Sequence, residues 1–528
     1  MTQDLSLTQD LLSLSTDDFI AGIAEVARSR FDCQTYPQQN LPAEDWAHLV
    51  RAGVLLPALP KELGGRDSHV EMGRVVEAIS EWNLPIGMYT MIVTAIVLRA
   101  VALRAGEEAQ REMLTEFSGQ EPMLAGFAST EPHCGSNMAA MTTTFTETAD
   151  GYHIRGRKHW QAFSINAHWW LVAARSDDGS RRFGYFIVRR DEGFRTLQPY
   201  DSVGLKAIDY GLNEIDAVIP KHRRIAAEEG NLSPMVEMLM PSRTMMAALA
   251  CGFLRRIDRE AHAYTERRRI GRAPQSEIRF VQYRLKSIET SATIAEALQH
   301  HLLTELDLKS DMMGAFPVAQ ALKTVATDRM VSAAHHYQQL VGGEGYRVGS
   351  QTNIAGQAFL DSRVFTIFDG TNDLLSQQLT EYCLAHCDGR PLSAFLAGYP
   401  HTARAVTAHR LDLGFLDGEL RQEHLVLAGR AIAYVIAMTQ VMRWAEPGGG
   451  GTPVRARAAL EFLKADIRGV EREFGLLATG ILDDPGAPRQ APARPAPSRA
   501  IPLPAQAPRS RGSWARTLVK KIEQTFAD

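Results

Sequence analysis

The sequence predicts a multi-domain α+β chain: an N-terminal helical domain, a central antiparallel β domain, a C-terminal helical bundle, and beyond it a helical extension and a proline-rich tail. Three observations predict this. Apolar residues recur every three or four positions up to about residue 118, the period switches to two between about 121 and 225, and long helical periodicity returns from about 234. The expected boundaries are 1–120, 121–233, 234–387, 388–483 for the extension, 484–511 for a Pro/Ala-rich linker and 512–528 for a basic helix.

In the first domain the helical pattern is carried by DDFIAGIAEVARSRF, HLVRAGVLLPAL and the long GMYTMIVTAIVLRAVALRAG stretch, with Gly64-Gly65 as a turn. The β pattern is carried by TTTFTETA, YHIRGRKHWQ, WWLVAARS and RFGYFIVRR. Asp150-Gly151 and Asp178-Gly179 punctuate it as hairpin turns. Long helices follow in MMAALACGFLRRIDREAHAYTERR and VAQALKTVATDRMVSAAHHYQQLV. The most apolar window, Leu425 to Trp444, contains Arg430, Gln440 and Arg443. An arginine at the middle of a lipid-spanning helix costs roughly 2.5 to 3.5 kcal/mol, so the window reads as a buried bundle helix. A flexible Gly448–Gly451 run follows it. Residues 484–511 are too rich in Pro and Ala to form a core. In the last segment Trp514, Leu518, Ile522 and Phe526 share one side of a helix carrying Arg516, Lys520 and Lys521. That side suits a membrane surface, a partner protein or the chain's own bundle.

With 528 residues the chain exceeds one hydrophobic core. Its 57 Lys and Arg stand against 61 Asp and Glu, so no affinity for polyanions follows and nucleic acid is a poor partner. Five scattered cysteines, Cys33, Cys134, Cys251, Cys383 and Cys387, suit a reducing compartment. The N-terminus has no basic start before an apolar core. A cytoplasmic protein is expected, peripheral to the membrane if the terminal helix docks there.

Four motifs stand in order: Phe127-Ala-Ser-Thr-Glu-Pro-His-Cys-Gly-Ser-Asn137, Gly156-Arg-Lys-His-Trp160, Gln339-Gln-Leu-Val-Gly-Gly-Glu-Gly-Tyr346 and Phe365-Thr-Ile-Phe-Asp-Gly-Thr-Asn-Asp373. An isoalloxazine ring needs an apolar face, donors at its pyrimidine edge and backbone amides for its pyrophosphate. Phe127, Ser129 and Thr130 precede a turn where Gly135 permits close approach and Ser136 adds a hydroxyl, while Trp160 offers a flat surface.

Over residues 20 to 385 these motifs resemble the acyl-CoA dehydrogenase family, whose patterns are T-E-P-x-x-G-S-D, G-x-K-x-W, Q-x-x-G-G-x-G and Y-E-G-T. The resemblance implies bound FAD, with Thr130 facing the flavin pyrimidine, Ser136 the pyrophosphate and Trp160 the ring system. It implies that Arg268, one helical turn after Tyr264, and a later Gln, here Gln282, bind the FAD of a neighbouring subunit together with Gln339, Gly342 and Gly343. A homodimer or homotetramer is therefore expected, and Thr371 and Asp373 of the last motif are further candidates at the cofactor. Two positions depart from the pattern. Ala162 replaces a Thr that bonds flavin N5, so that donor is missing or moved, for instance to Ser164, and Asn137 replaces the Asp after Gly-Ser.

Oxidising a thioester needs a carboxylate to take the α-proton while the β-hydrogen leaves as hydride to the flavin. Asp369 stands where the family's Glu stands, one methylene shorter. The base position of a related subset, just before Arg243, is occupied by Ser242. Asp369 is thus the expected base, with Arg243 beside it to keep it ionised; as an ordinary residue Asp369 would simply cap the next helix. The implied function is FAD-dependent α,β-dehydrogenation of an acyl-CoA or acyl-carrier-protein thioester, with electrons passed to an external acceptor such as an electron-transfer flavoprotein. Two alternatives are an oxidase of a non-thioester carbon acid, as in nitroalkane oxidase, which uses an Asp base on the same fold, and a catalytically decayed flavin-binding interaction protein.

Overall fold

A computed structural model describes residues 10–135, 140–180, 182–225, 236–309 and 312–482. Ser136 and Asn137, the linker 484–511 and the basic helix 512–528 lie outside the described residues.

Helix α1 (Thr16–Phe31) starts where the Ser15 hydroxyl accepts from the Asp18 amide, with Asp17 and Asp18 favourably placed in its first turn. Its buried residues, Phe19, Ile20, Ile23, Ala27 and Phe31, follow helical spacing. Helices α2 (Ala43–Arg51) and α3 (His69–Trp82) follow. Next, α4 spans Leu84–Arg104, opened by an Asn83 cap and Pro85 and wound as a π-helix over Ile92–Leu98. Nearly every residue of α4 from Leu84 to Val101 is buried, which its continuously apolar sequence requires. Helix α5 (Glu107–Phe117) completes the domain.

The β domain contains β1 (Ala125–Ala128), β2 (Thr144–Glu147), β3 (Gly151–His159), β4 (Trp169–Ser176), β5 (Phe183–Arg189), β6 (Phe194–Tyr200), β7 (Tyr210–Pro220) and β8 (Arg224–Ile225). They form one sheet in the order β6-β7-β3-β2-β4-β5-β8, with β1 also on β4. The expected hairpins are present. Asp150-Gly151 joins β2 to β3, and Asp178-Gly179, with Gly179 at φ +79°, joins β4 to β5. The sheet is nevertheless mixed where an antiparallel one was expected: β1 and β2 both run parallel to β4. Strand β4 is buried on both faces, and its apolar run WWLVAA is the pattern of a central strand that accepts parallel neighbours.

Helices α6 (Met240–Arg267), α7 (Arg279–Thr304) and α8 (Phe316–Val341) pack on one another, followed by α9 (Ala355–Arg363) and α10 (Asn372–His386). Helix α3 lies along α6, so the two helical domains share an interface. The extension adds α11 (Leu392–Gly398), α12 (Ala403–His409), α13 (Gln422–Trp444) and α14 (Pro453–Leu477). Helix α13 packs on α7, α8, α10 and α14. Gly429 allows the close approach to α10, since a Cβ there would lie 1.9 Å from the Ser376 carbonyl oxygen. Ion pairs Arg455–Glu296 (2.8 Å), Arg430–Asp373 (2.7 Å) and Arg329–Asp466 join extension to bundle. The two described helices long and apolar enough to cross a membrane, α4 and α13, are both largely buried inside the protein.

Candidate active site

The fourth motif forms a strained turn. Asp369 has φ +58° and Gly370 φ +90°, and the next helix is capped by Thr371, whose hydroxyl accepts from the Leu374 amide at 3.2 Å. Asp369 is therefore not the cap. A non-glycine residue in the left-handed region persists only where its surroundings hold it. Two buried cations do so: Arg243 Nε donates to the Asp369 carbonyl oxygen (3.3 Å), and Lys323 Nζ donates to the Gly370 carbonyl (2.9 Å) and to Asn372 Oδ1 (2.7 Å). Arg243 Nη1 is fixed in turn by Gln320 Oε1 at 3.1 Å.

The expected pairing of Arg243 with the Asp369 carboxylate takes a different form. Its hydrogen bond goes to the main chain, and its charge reaches the carboxylate through space. The Ser242 hydroxyl hydrogen-bonds the carboxylate, while Oδ2 is buried with no partner among the described residues. Burial pushes the Asp369 pKa up, and Arg243, Ser242 and Lys323 pull it back. Burial lowers the Lys323 pKa to about 7, against the attraction of Asp369.

Across from this turn stands Tyr185 of β5, buried and sensing the charges of both Asp369 and Arg243. Its ring lies 5.7 Å from that of Phe127 on β1, linking the Asp369 turn to the first motif. The first and second motifs are fastened to each other by a fully buried ion pair, Lys158 Nζ to Glu131 Oε1 at 2.8 Å. Lys158 also donates to the Ser129 carbonyl (3.0 Å), and the Thr130 carbonyl accepts from the His159 amide and from Gln161 Nε2, both at 3.0 Å.

Trp160 lies just beyond this clamp at φ +61° and remains 51% exposed, its indole flanked by Tyr200 and Tyr210 at 4.9 and 5.8 Å. An aromatic held in a strained conformation with its face open fits a flavin platform. Gly135 has φ +49° and open space around it, so nothing blocks close approach at the first motif's turn. Ala162 is buried. Ser164 does not replace the missing donor, because its hydroxyl is buried, donating to the Gln161 carbonyl (2.7 Å) and accepting from Asn213 (2.9 Å).

At the other end of α6 the structure brings Arg268 to the third motif. Arg268 Nη1 donates to the Val341 carbonyl at 2.6 Å, and Tyr264 donates to the same oxygen at 3.2 Å. The guanidinium thus caps the C-terminus of α8, where cations are favoured, right beside Gly342 at φ +76°. Gln339, Gly342 and Gly343 are exposed there. Gln282 stands apart, exposed and bonded to Arg279 (3.0 Å), whereas buried Gln275 reaches the Leu340 carbonyl at 3.0 Å. Asp373 is engaged by Arg430 of the extension rather than turned to the other motifs. The 25 residues from Arg243 to Arg268 along α6 separate the two ends by about 37 Å.

Lys323, Gln320, Tyr185, Lys158 and Gln275 escaped the sequence reading. Lys323 and Gln320 had a usable signal: both fall among apolar residues in VAQALKTVATDRMV, where a core helix would otherwise exclude them. Lys158 and Glu131 sat inside motifs already singled out. Tyr185 had none, since an aromatic in an apolar strand is ordinary core.

A buried carboxylate beside the β domain, linked through Tyr185 to Phe127, and an exposed indole at the second motif fit a flavin-dependent oxidoreductase. Models of the N-terminal, middle and C-terminal domains of acyl-CoA dehydrogenases match residues 11–117, 126–218 and 232–383. Similar proteins include a 3-(aryl)acrylate reductase of Clostridium sporogenes, 25% identical over 345 residues (63% of this chain, 88% of that one). A cyclohex-1-ene-1-carbonyl-CoA dehydrogenase of Geobacter metallireducens is 24% identical over 339 residues (61% and 85%). Among solved structures, an acyl-CoA dehydrogenase complexed with FAD from Bacillus anthracis superposes with a TM-score of 0.70 at 18% identity, covering 90% of this chain and 88% of that one. Butyryl-CoA dehydrogenase from Megasphaera elsdenii gives 0.61 at 18% identity, covering 69% and 97%. The chain belongs to the acyl-CoA dehydrogenase family. It is an FAD-dependent oxidoreductase acting on CH–CH groups of acyl-CoA-like substrates.

Proposed function

We propose that the chain oxidises the α,β bond of an acyl thioester with Asp369 as the base. The observation that carries this is the division of labour in the Asp369 turn. Arg243 and Lys323 hold main-chain carbonyls, and carboxylate Oδ2 is left buried without a partner among the described residues. A proton acceptor needs a free lone pair and a fixed position, and both are supplied. Burial on balance raises the Asp369 pKa, which favours taking up a proton, while Arg243, the Ser242 hydroxyl and Lys323 oppose that rise. Trp160 and Phe127 provide apolar surface, and the Glu131–Lys158 pair sets the loop carrying one against the strand carrying the other. Bound FAD supplies the acceptor for the β-hydride.

The separation of about 37 Å between the base and the Arg268–Gly342 corner supports a homo-oligomer in which two copies complete each cofactor site. An external electron acceptor of the electron-transfer flavoprotein kind, a cytoplasmic location and docking through residues 512–528 complete the proposal.

The test is anaerobic flavin bleaching with a panel of acyl-CoAs of varied chain length. Wild type should bleach with at least one. Asp369→Asn should retain FAD yet reduce it at least about 10²-fold more slowly, the low end for a positioned general base. Wild-type rates in Asp369→Asn would remove Asp369 as the base. Turnover in air with peroxide release and no acyl-CoA bleaching would instead indicate an oxidase of another carbon acid.

A further inference from the structure

Where the bundle meets the extension, the end of α7, the start of α12 and the end of α13 enclose a cavity of about 290 Å³. Two of these three elements, α12 and α13, follow residue 383, where the family match ends. None of the residues that line the cavity belongs to the four motifs or to the Asp369 turn.

Its walls hold polar groups that no described residue satisfies. His301 is 4% exposed, and neither ring nitrogen has a hydrogen-bond partner among the described residues; Gln440 is 1% exposed, and its amide oxygen and nitrogen likewise have none among them. Buried polar atoms are seldom left this way, and two whole side chains facing one cavity call for an occupant. Arg443 has no ion-pair partner among the described residues, whereas Arg404 is paired with Glu446 at the rim. Glu305, the other carboxylate in the lining, is exposed. Burial, reinforced by Arg443, His401 and His300, pushes the pKa of His301 down to about 3, so its imidazole is neutral. Pro447, Gly448 and Gly449 also line it, with Gly448 at φ +91°, so the two glycines bring no side chain into it.

Water fits this space, at about 30 Å³ per molecule, and would satisfy His301 and Gln440, but it brings no counter-charge to Arg443. A cation is disfavoured by the Arg443 guanidinium, and no cluster of three or more metal-ligating side chains exists among the described residues. From the orphaned imidazole and amide and the unpaired guanidinium, we infer that the cavity is a binding site for a small organic anion. Arg443 meets its carboxylate or phosphate group, and His301 and Gln440 meet its remaining polar atoms. Such a ligand bridges the bundle to the extension and stabilises the folded chain through linkage.

The experiment uses the full-length, FAD-loaded protein at constant ionic strength, titrated calorimetrically with inorganic phosphate, glycerol 3-phosphate and citrate, with glycerol as the neutral control. At least one anion should bind with one site per chain and raise the melting temperature by about 2 °C or more. Arg443→Gln should weaken that binding at least about tenfold. The variant's flavin content and rate of flavin reduction should equal those of wild type. Binding of both phosphates but not citrate assigns a phosphoryl ligand, and binding of citrate alone assigns a carboxylate. Should Arg443→Gln fail to fold, Gln440→Leu carries the same criterion. If none of the three anions binds, or if binding is equally tight in the variant, the site is not an anion site and the inference is overturned.

Discussion

Replacing Glu131 by Gln tests whether the first and second motifs are held together by charge or merely by packing. Glu131 is 1% exposed and Lys158 is fully buried. The carboxylate accepts from Lys158 Nζ (2.8 Å), the Thr142 amide and hydroxyl (both 2.6 Å) and the Thr143 amide (2.9 Å). A glutamine keeps the shape but removes the charge and turns one end into a donor facing donors. Lys158 is then a buried ammonium without a counter-ion, which costs about 3–5 kcal/mol. The alternative is for Lys158 to release its proton. From an ordinary pKa of about 10.4 to pH 7 this costs about 4.6 kcal/mol, so it offers no cheaper escape. Glu131→Gln should therefore lose about 3–5 kcal/mol in denaturant titration, and FAD affinity with it, because Ser129 loses a fixed partner. The double variant Glu131→Gln/Lys158→Met should recover much of the loss, as both charges are then gone. The pH dependence has a definite sign. Lys158 and the three hydrogen bonds from Thr142 and Thr143 hold the Glu131 pKa down at about 2. Its contribution is thus complete above the ordinary carboxylate range near 4.5 and is lost as pH falls toward 2. A single variant within about 0.5 kcal/mol of wild type at pH 7, the scale of a neutral surface change, would refute the reasoning.

Trp160→Ala should weaken FAD binding about tenfold in a fluorescence titration of apoprotein, the scale of one good aromatic contact, while leaving the apoprotein's melting temperature unchanged because half the indole is already exposed. Lys323→Met should keep FAD and KM near wild type but lower kcat about tenfold or more, since the Gly370 carbonyl and Asn372 lose the donor that positions the base; unchanged single-turnover rates would show that Arg243 suffices. Gly429→Ala should cost about 3 kcal/mol in denaturant titration, because its Cβ would meet the Ser376 carbonyl at 1.9 Å. Gly22→Ala, with nothing within 4 Å, is the matched control and should be neutral or stabilising.

The order of helical, β and helical regions was legible because each rests on local periodicity, as α1 and the β2–β3 hairpin illustrate. The direction of β1 and β2 relative to β4 was not, since strand pairing across 20 or more residues leaves no periodic trace. Asp369, Arg243, Trp160 and Arg268 were found through the resemblance of the motifs to those of the family, and the structure brings Arg243 of α6 against the Asp369 turn and Arg268 beside Gly342. What spacing could not supply was the atom each side chain holds. Arg243 reads as a carboxylate partner from sequence, yet it holds a carbonyl, because the positive φ of Asp369 turns that oxygen toward it. Gln282 and Gln275 show the same limit: two glutamines stand seven residues apart, and burial alone decides which one reaches the α8 terminus.

Helix α10 begins three residues after Asp369 and is gripped along one side by the extension. Asp373 is held by Arg430, Gln377 by Gln422, Thr380 by the Leu425 carbonyl, and Ser376 lies under Gly429. The extension therefore acts as the far wall of a vice whose near jaw is the turn bearing the base. For protein engineering this offers a remote control. Substitutions at the α13 residues that grip α10, Gln422 and Arg430, should stiffen or slacken the Asp369 turn and so change turnover from a distance.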